Sequence, residues 1–132
     1  MKKLLILSVV LLTICFSCKQ AEAQSEIQVV SPEEMKELLA MEDIQLVDVR
    51  TPEEYREGFI ANFQNIDFMS PTFDQDILKL DKEKPVILYC RSGGRSASCA
   101  KKMAEAGFVK IYDLDGGITK WLHSDNDIVI PN

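Results

Sequence analysis

The chain has 132 residues, of which 46% are hydrophobic and 27% charged, a composition typical of one folded domain with a buried core. This balance excludes a disordered tail, a collagen-like repeat and a cysteine-dense mini-protein. The net charge is −6 and no cluster of Lys and Arg could form a basic face, so we expect no nucleic-acid partner.

The N-terminus has the layout of a secretory signal. Lys2 and Lys3 precede residues 4–16, which carry no charge. This stretch is shorter than the roughly 20 apolar residues that a membrane-spanning helix needs. A positive start, a short apolar stretch and then small or polar residues predict a signal peptide over residues 1–17. The alternative, a buried core helix, fits poorly with a stretch that is apolar on all sides at the start of the chain.

A small residue and then Cys18 follow the apolar stretch, which resembles the lipobox of bacterial lipoproteins. In that pattern the cysteine becomes the lipidated first residue of the mature chain. Here Cys15 and Phe16 stand where Leu and a small residue are usual, so simple cleavage near Ala21 or Ala23 is the alternative. The resemblance implies a lipid anchor on Cys18 and a place in the bacterial cell envelope, facing the periplasm or the cell surface.

The rest of the chain alternates between strand and helix signals. Residues 18–30 are expected to be a tether and the first residues of the mature chain, residues 31–128 the folded domain, and residues 129–132 a tail. Ser31 and Thr51 are predicted helix N-caps, since each precedes a Pro and two acids. This alternation predicts an α/β fold with a mostly parallel central sheet and helices on both faces. The predicted strands are residues 27–30, 44–49, 86–89 and 109–114. Further helices are predicted at 74–80 and 96–106, and a last one follows Gly116-Gly117 and ends at His123.

A glycine-rich loop follows the buried strand at residues 86–89 and precedes a helix. Ligands of parallel sheets bind at the carboxyl ends of strands. The backbone N–H groups of such a loop and the helix N-terminus favour negative charge, so we expect a partly ionised thiol, helped by two arginines. The pattern predicts a nucleophilic thiolate for an oxyanion substrate or a bound persulfide; the alternative is a structural cysteine beside solvated arginines. In order, the loop is Cys90, Arg91, Ser92, Gly93, Gly94 and Arg95.

Several motifs around this loop occur together in a fixed order. They are Leu46-Val47-Asp48-Val49-Arg50, Glu54-Tyr55, Gly58, Asn65-Ile66, Pro85, the loop itself, Ser96-Ala97, Gly107-Phe108, Leu114-Asp115-Gly116-Gly117 and Trp121. Over about residues 30–121 the chain resembles the rhodanese-like sulfurtransferases. The resemblance implies the three-layer rhodanese-like fold. It also implies that Cys90 takes sulfane sulfur from a donor such as thiosulfate, becomes a persulfide, and passes the sulfur to cyanide or a thiol.

The length of the loop distinguishes two chemistries. Protein tyrosine phosphatases and related arsenate reductases place five residues between the cysteine and the arginine, which makes room for a tetrahedral phosphate. Here four residues separate Cys90 from Arg95. A tighter ring of amides fits a terminal sulfur better than a whole phosphate, so the loop favours sulfur transfer over phosphatase activity.

Residues around the loop carry further expectations. Phe59 and Phe63 stand where the family commonly has His and Ala, so we expect altered packing near the site with the nucleophile retained. Asp48 and Arg50 lie at the end of a central strand and are expected to be more structural than catalytic. We expect Asp48 to orient groups of the loop and Arg50 to pair with Glu54.

Two other functions remain open from the sequence. The first is a non-catalytic module that binds a partner or senses persulfide. The second is a thiol oxidoreductase that uses Cys90 with Cys99, although the two lack Cys-x-x-Cys spacing and Cys99 is expected to be a packing residue. No Cys and His residues have metal-ligand spacing, so we expect no metal and no cofactor, only small sulfur donors and acceptors.

Overall fold

The computed structural model describes residues 24–132. The predicted signal peptide and Cys18 lie outside the described residues. Within the described part of the chain, no helix is both long enough and apolar enough to cross a membrane.

Five parallel strands form one sheet in the order β1-β5-β4-β2-β3. Since all strands run the same way, their carboxyl ends meet at one edge. Central strand β4 is buried along its whole length, as its uninterrupted apolar run predicts. The strands are β1 (Glu26–Val30), β2 (Gln45–Asp48), β3 (Gln64–Asn65), β4 (Val86–Tyr89) and β5 (Lys110–Leu114).

Within residues 24–132, four α-helices connect the strands and a fifth follows β5. Two of them begin as predicted, with a capping box at Ser31 and another at Thr51. In each box the N-cap hydroxyl accepts a hydrogen bond from the N–H of a glutamate three residues on, whose carboxylate accepts one from the N-cap N–H. The helices are α1 (Pro32–Leu38), α2 (Pro52–Glu57), α3 (Phe73–Asp76, followed by a 3-10 turn over Ile77–Lys79), α4 (Gly94–Glu105) and α5 (Gly117–His123).

Side chains pack on both faces of the sheet, which gives the three layers predicted from the sequence. Leu88 of β4 packs against α4 in one apolar cluster, which also holds Cys90 and Cys99. Its neighbours Ile87 and Tyr89 point to the other face, in a cluster with residues of α1 and α5. The alternation along β4 therefore places Cys90 in the α4 layer.

Three details differ from the predicted boundaries. Strand β1 pairs with β5, and Phe59 forms an isolated antiparallel bridge with Val129, so the folded unit extends beyond residues 31–128 at both ends. The predicted helix over residues 74–80 is a short α-helix continued by a 3-10 turn. Two-residue strand β3 was not predicted; it is fixed by Asn65, whose Nδ2 donates to the carbonyls of Asp48 at 3.0 Å and Arg50 at 2.8 Å.

Candidate active site

Cys90 lies directly after β4, at the shared carboxyl edge of the sheet, and is 1% exposed. The N–H of Gly93 donates to its Sγ at 3.1 Å. Gly93 is the N-cap of the twelve-residue helix α4 and has a φ of 112°, in the region that favours glycine. The sulfur therefore sits at the positive end of a helix dipole, as the sequence predicts, which favours a thiolate or another anionic sulfur.

Helix α5 holds the opposite side of the loop. The N–H of Ile118 donates to the carbonyl of Cys90 at 3.0 Å, and the N–H of Thr119 donates to the carbonyl of Arg91 at 3.1 Å. Gly117 makes this approach possible: its φ is 59°, and a Cβ there would come within 2.6 Å of the carbonyl carbon and oxygen of Arg91. The carbonyls of Cys90 and Arg91 are thus bound to α5, while the N–H of Gly93 donates to the sulfur from the side of α4.

Glu54, the third residue of α2, binds both arginines of the loop. Arg95 makes a two-pronged ion pair with its carboxylate, with N···O distances of 2.7 and 2.8 Å. Nε of Arg91 donates to the same carboxylate at 3.1 Å. The hydrogen bonds from Arg95 hold the pKa of Glu54 well below its usual range. The two guanidinium groups thus brace the loop through Glu54.

The expected pairing of Arg50 with Glu54 is wrong. Arg50 turns back over the end of β2, where its Nε and Nη2 donate to the buried carboxylate of Asp48 at 3.0 and 2.7 Å. Nη2 also donates to the carbonyl of Gly58 at 2.7 Å. The carboxylate of Asp48 accordingly holds Arg50 instead of orienting groups of the loop. Their pair is a buried structural contact that ties β2 to the end of α2.

Phe59 and Phe63, which stand where the family that the chain resembles commonly has His and Ala, both pack against tyrosine rings. The ring of Phe59 stacks on Tyr55 with 4.2 Å between ring centroids. Phe63 packs edge-on against Tyr89 at 4.8 Å, and its carbonyl accepts a hydrogen bond from the hydroxyl of Tyr55 at 2.7 Å. Phe63 lies in the layer of α1 and α5, on the opposite face of the sheet from Cys90.

Cys99 is fully buried in the α4 layer, as expected of a packing residue. Burial raises the pKa of its thiol to about 12. Both Cys90 and Cys99 are free thiols. At neutral pH Cys99 is therefore protonated and a poor nucleophile.

A cleft of ≈240 Å³ opens beside the loop, on the side of Arg91. Its walls include Arg91 and Thr119 together with the apolar side chains of Ile118, Leu122 and Ile128. A larger cleft of ≈660 Å³ lies along β3 and α3 and includes no residue of the loop. The smaller of these two clefts is thus the one that borders the loop, through Arg91.

The sequence alone predicted no role for two residues of the site, Ser96 and Gly117. Ser96, in the first turn of α4, has its Oγ 3.4 Å from the Sγ of Cys90. The available signal was a hydroxyl in the first turn of the helix that follows the candidate nucleophile. Gly117 entered only as part of a motif, and the double glycine before a helix was the signal for its close approach to the loop.

Comparison with known proteins agrees with this geometry. The rhodanese-like domain family matches residues 31–124. Thiosulfate sulfurtransferase GlpE of Coxiella burnetii is 38% identical over 92 residues, which cover 70% of this chain and 84% of that protein.

Solved structures show the same fold. A rhodanese-related protein from Thermoplasma volcanium superposes with a TM-score of 0.70 at 26% identity, covering 79% of this chain and 99% of that one. The polysulfide-sulfur transferase of Wolinella succinogenes has a TM-score of 0.66 at 32% identity, covering 81% of each chain. With its parallel sheet and its loop at the carboxyl end of β4, the chain belongs to the rhodanese-like domain family, whose members most similar to it include sulfurtransferases.

Proposed function

We propose that this protein is a sulfurtransferase that carries sulfane sulfur as a persulfide on Cys90. The donor is a compound such as thiosulfate, and the acceptor is cyanide or a thiol. The observation that carries the proposal is the position of the Cys90 sulfur, which accepts the N–H of Gly93 at 3.1 Å at the N-terminus of α4. The same groups that favour a thiolate there also favour the anionic outer sulfur of a persulfide.

The reaction has two displacement steps. The Cys90 thiolate attacks the outer sulfur of thiosulfate, the S–S bond breaks, and sulfite leaves with the electron pair. The cysteine then carries one extra sulfur as a persulfide. In the second step the acceptor attacks that outer sulfur, and the bonding pair returns to Cys90 as thiolate. With cyanide the product is thiocyanate.

Charge at the mouth of the loop suits an anionic donor. Two guanidinium groups share the single carboxylate of Glu54, so one positive charge is left uncompensated within this cluster. The side chain of Arg91 is 59% exposed and can meet a donor from solvent. The cleft between Arg91 and α5 offers an acceptor a partly apolar wall beside the loop.

The deciding experiment looks for the persulfide itself. After incubation with thiosulfate and no acceptor, mass spectrometry of the Cys90 peptide should show the added mass of one sulfur atom. Cys90→Ser should show neither the adduct nor turnover, because a serine hydroxyl cannot hold sulfane sulfur. Cys99→Ala is the matched control and should keep both. Turnover by Cys90→Ser would overturn the proposal.

Two other results would redirect the assignment. A wild-type protein that never forms the adduct would be a non-catalytic binding module. A protein that takes up sulfur in a one-to-one ratio, and releases it neither to cyanide nor to a small thiol, would be a persulfide-sensing module.

We also propose that a lipid on Cys18 anchors the protein in the cell envelope. The support is the signal-like N-terminus and the small residue before Cys18. Mass spectrometry of the membrane fraction should find a diacylglyceryl-modified N-terminus at Cys18. Cys18→Ser should release the protein from membranes, whereas Cys15→Ser should leave it attached. An unmodified mature start downstream of Cys18 would contradict the anchor.

A further inference from the structure

A ring of three hydrogen bonds includes the sulfur of Cys90. The N–H of Gly93 donates to Sγ at 3.1 Å, and the thiol donates to the Oγ of Ser96 at 3.4 Å. The Ser96 hydroxyl in turn donates to the carbonyl of Gly93 at 3.2 Å. Ser96 is fully buried, and a buried hydroxyl is costly unless it is hydrogen-bonded. The ring satisfies this hydroxyl, which has no part in the two displacement steps described above.

This ring fits only the protonated form of Cys90. A neutral thiol has a proton to give to Ser96, whereas a thiolate has none and needs donors instead. Once Cys90 has lost its proton to solvent, two acceptors would face each other, Sγ and the Oγ of Ser96. The repulsion is relieved when the Ser96 hydroxyl rotates from the carbonyl of Gly93 towards Sγ. At 3.4 Å the same two atoms then form a charge-assisted O–H···S hydrogen bond.

Rotation of the Ser96 hydroxyl leaves no carbonyl unpaired. The carbonyl of Gly93 also accepts the N–H of Ala97 at 3.1 Å, which is an ordinary hydrogen bond of the first turn of α4. It keeps this partner when the Ser96 hydroxyl turns away. The hydroxyl therefore has two available acceptors, Sγ and the Gly93 carbonyl, and the charge on Sγ decides which of them it binds.

We propose that Ser96 is a catalytic residue that donates to Sγ whenever this atom is negatively charged, and that it promotes the release of sulfur rather than its uptake. The proposal rests on Cys90 carrying the persulfide of the sulfurtransferase proposed above. In the persulfide the negative charge lies on the outer sulfur, and Sγ is neutral. The Ser96 hydroxyl then returns to the carbonyl of Gly93.

The two half-reactions change the charge on Sγ in opposite directions. In uptake, the electron pair of the Cys90 thiolate forms the bond to the outer sulfur of thiosulfate, sulfite leaves with the pair of the broken S–S bond, and Sγ loses its charge. A donor to Sγ stabilises the starting thiolate more than this transition state. In release, the acceptor bonds to the outer sulfur, the S–S pair returns to Sγ, and its charge grows. The same donor now stabilises the transition state more than the persulfide.

The test measures the two half-reactions separately in the full-length Ser96→Ala protein. The pH is chosen where alkylation of Cys90 by iodoacetamide has reached its plateau, so that the thiol is ionised. Mass spectrometry follows uptake from thiosulfate alone, and then release after cyanide is added to the washed persulfide form. We expect release to slow about two- to tenfold, the size of one net hydrogen bond, while uptake is unchanged or faster. At a fixed ratio of thiosulfate to sulfite, the equilibrium should shift towards the persulfide.

Ser98→Ala is the matched control. The exposed hydroxyl of Ser98 lies on the same helix and donates to the carbonyl of Gly94 at 3.3 Å, and within residues 24–132 it has no hydrogen bond to Cys90. This variant should keep both wild-type rates. Ser96→Thr retains a hydroxyl at position 96 and should restore the wild-type ratio of release to uptake, whatever the added methyl group costs in stability.

Equal slowing of uptake and release in Ser96→Ala would overturn the proposal, because damage to packing alone would produce it. Rates that match those of Ser98→Ala would overturn it as well. Alkylation requires no sulfur donor or acceptor. On its plateau, Ser96→Ala should react faster than the wild type, because its thiolate has lost a hydrogen bond. A protein that shows this difference but never forms a persulfide would contradict the sulfur-transfer proposal and retain Ser96 as a donor to the thiolate.

Discussion

Glu54 combines two tasks in one carboxylate. It closes the capping box of α2 by accepting the N–H of Thr51 at 3.1 Å, and it pairs with both Arg91 and Arg95. The loop after β4 is thereby attached to a helix that follows β2. This contact fixes the loop more firmly than surface ion pairs usually do, because the Glu54 side chain is only 16% exposed.

Replacing Glu54 with Gln should weaken both the capping box of α2 and the ion pairs with Arg91 and Arg95. Loss of the charged hydrogen bonds should lower the free energy of unfolding at pH 7 by about 1.5–3 kcal/mol, since bonds to charged groups contribute about that much. Urea unfolding of Glu54→Gln and of the control Glu53→Gln would measure this. Glu53 is exposed in the same helical turn, and its replacement should cost little. Equal stability of the two variants would contradict the role of Glu54.

The same carboxylate predicts how stability depends on pH. The pKa of Glu54 is lowered in the folded protein, chiefly by hydrogen bonds from Arg95. Its contribution is therefore complete above the unfolded-state pKa of about 4.3 and is lost as the pH falls below that value. Between about pH 5 and about pH 3, the wild type should lose more unfolding free energy than Glu54→Gln does. Parallel losses in both proteins would show that other groups dominate acid unfolding.

Cys99 should be dispensable for sulfur transfer. It is fully buried, and its raised pKa of about 12 keeps it protonated at neutral pH. Cys99→Ala should keep turnover and lose about 1 kcal/mol of stability, as expected for a small change in a packed core. In the wild type, iodoacetamide should label Cys99 only when denaturant unfolds the chain. Loss of turnover in Cys99→Ala, together with a trapped Cys90–Cys99 disulfide in the wild type, would favour the oxidoreductase instead.

At the scale of elements, α5 holds the loop by hydrogen bonds to the carbonyls of Cys90 and Arg91. Gly117→Ala would place a Cβ against the carbonyls of Cys90 and Arg91 in a conformation that side chains rarely adopt. We expect a loss of about 1–3 kcal/mol in stability, as for other strained backbone sites, and a reduced yield of persulfide. Thermal unfolding and the adduct assay measure the two effects.

Gly94→Ala is the matched control for stability. Gly94 begins α4, and a Cβ there would meet nothing within 4 Å. Since Ala is a better helix former than Gly, this variant should be as stable as the wild type or slightly more stable. A Gly117→Ala protein that unfolds at the same temperature as Gly94→Ala would show that α5 can move away from the loop at no cost.

The sequence predicted the elements whose signals are local. Caps at Ser31 and Thr51 marked helix starts, and the apolar run before Cys90 marked a buried central strand. Strand β3 was not predictable in this way, because it has two residues and depends on the side-chain contacts of Asn65. The partner of Arg50 was predicted wrongly, because the direction of a long side chain depends on which carboxylate the fold brings closest to it.

For the whole molecule, the alternation of strands and helices was sufficient to predict three layers and a site at the carboxyl edge of a parallel sheet. It could not predict which residues outside the loop contact it. Glu54 reaches the loop from α2, which follows a different strand, and this contact follows from tertiary packing that spacing along the chain does not reveal. Ser96 and Gly117 each had a local signal, but their distances to the loop depend on the fold.

The parallel sheet also places the amino ends and the carboxyl ends of its strands at opposite edges of the domain. Strand β1 begins at Glu26, on the amino edge, whereas Cys90 follows β4 on the carboxyl edge. The five residues of β1 span about 16 Å, so the start of β1 and Cys90 lie at opposite edges of the sheet. The lipid anchor proposed above would therefore attach next to the amino edge of the domain. It would leave the loop after β4, at the carboxyl edge, open to the small sulfur compounds that the proposed function requires.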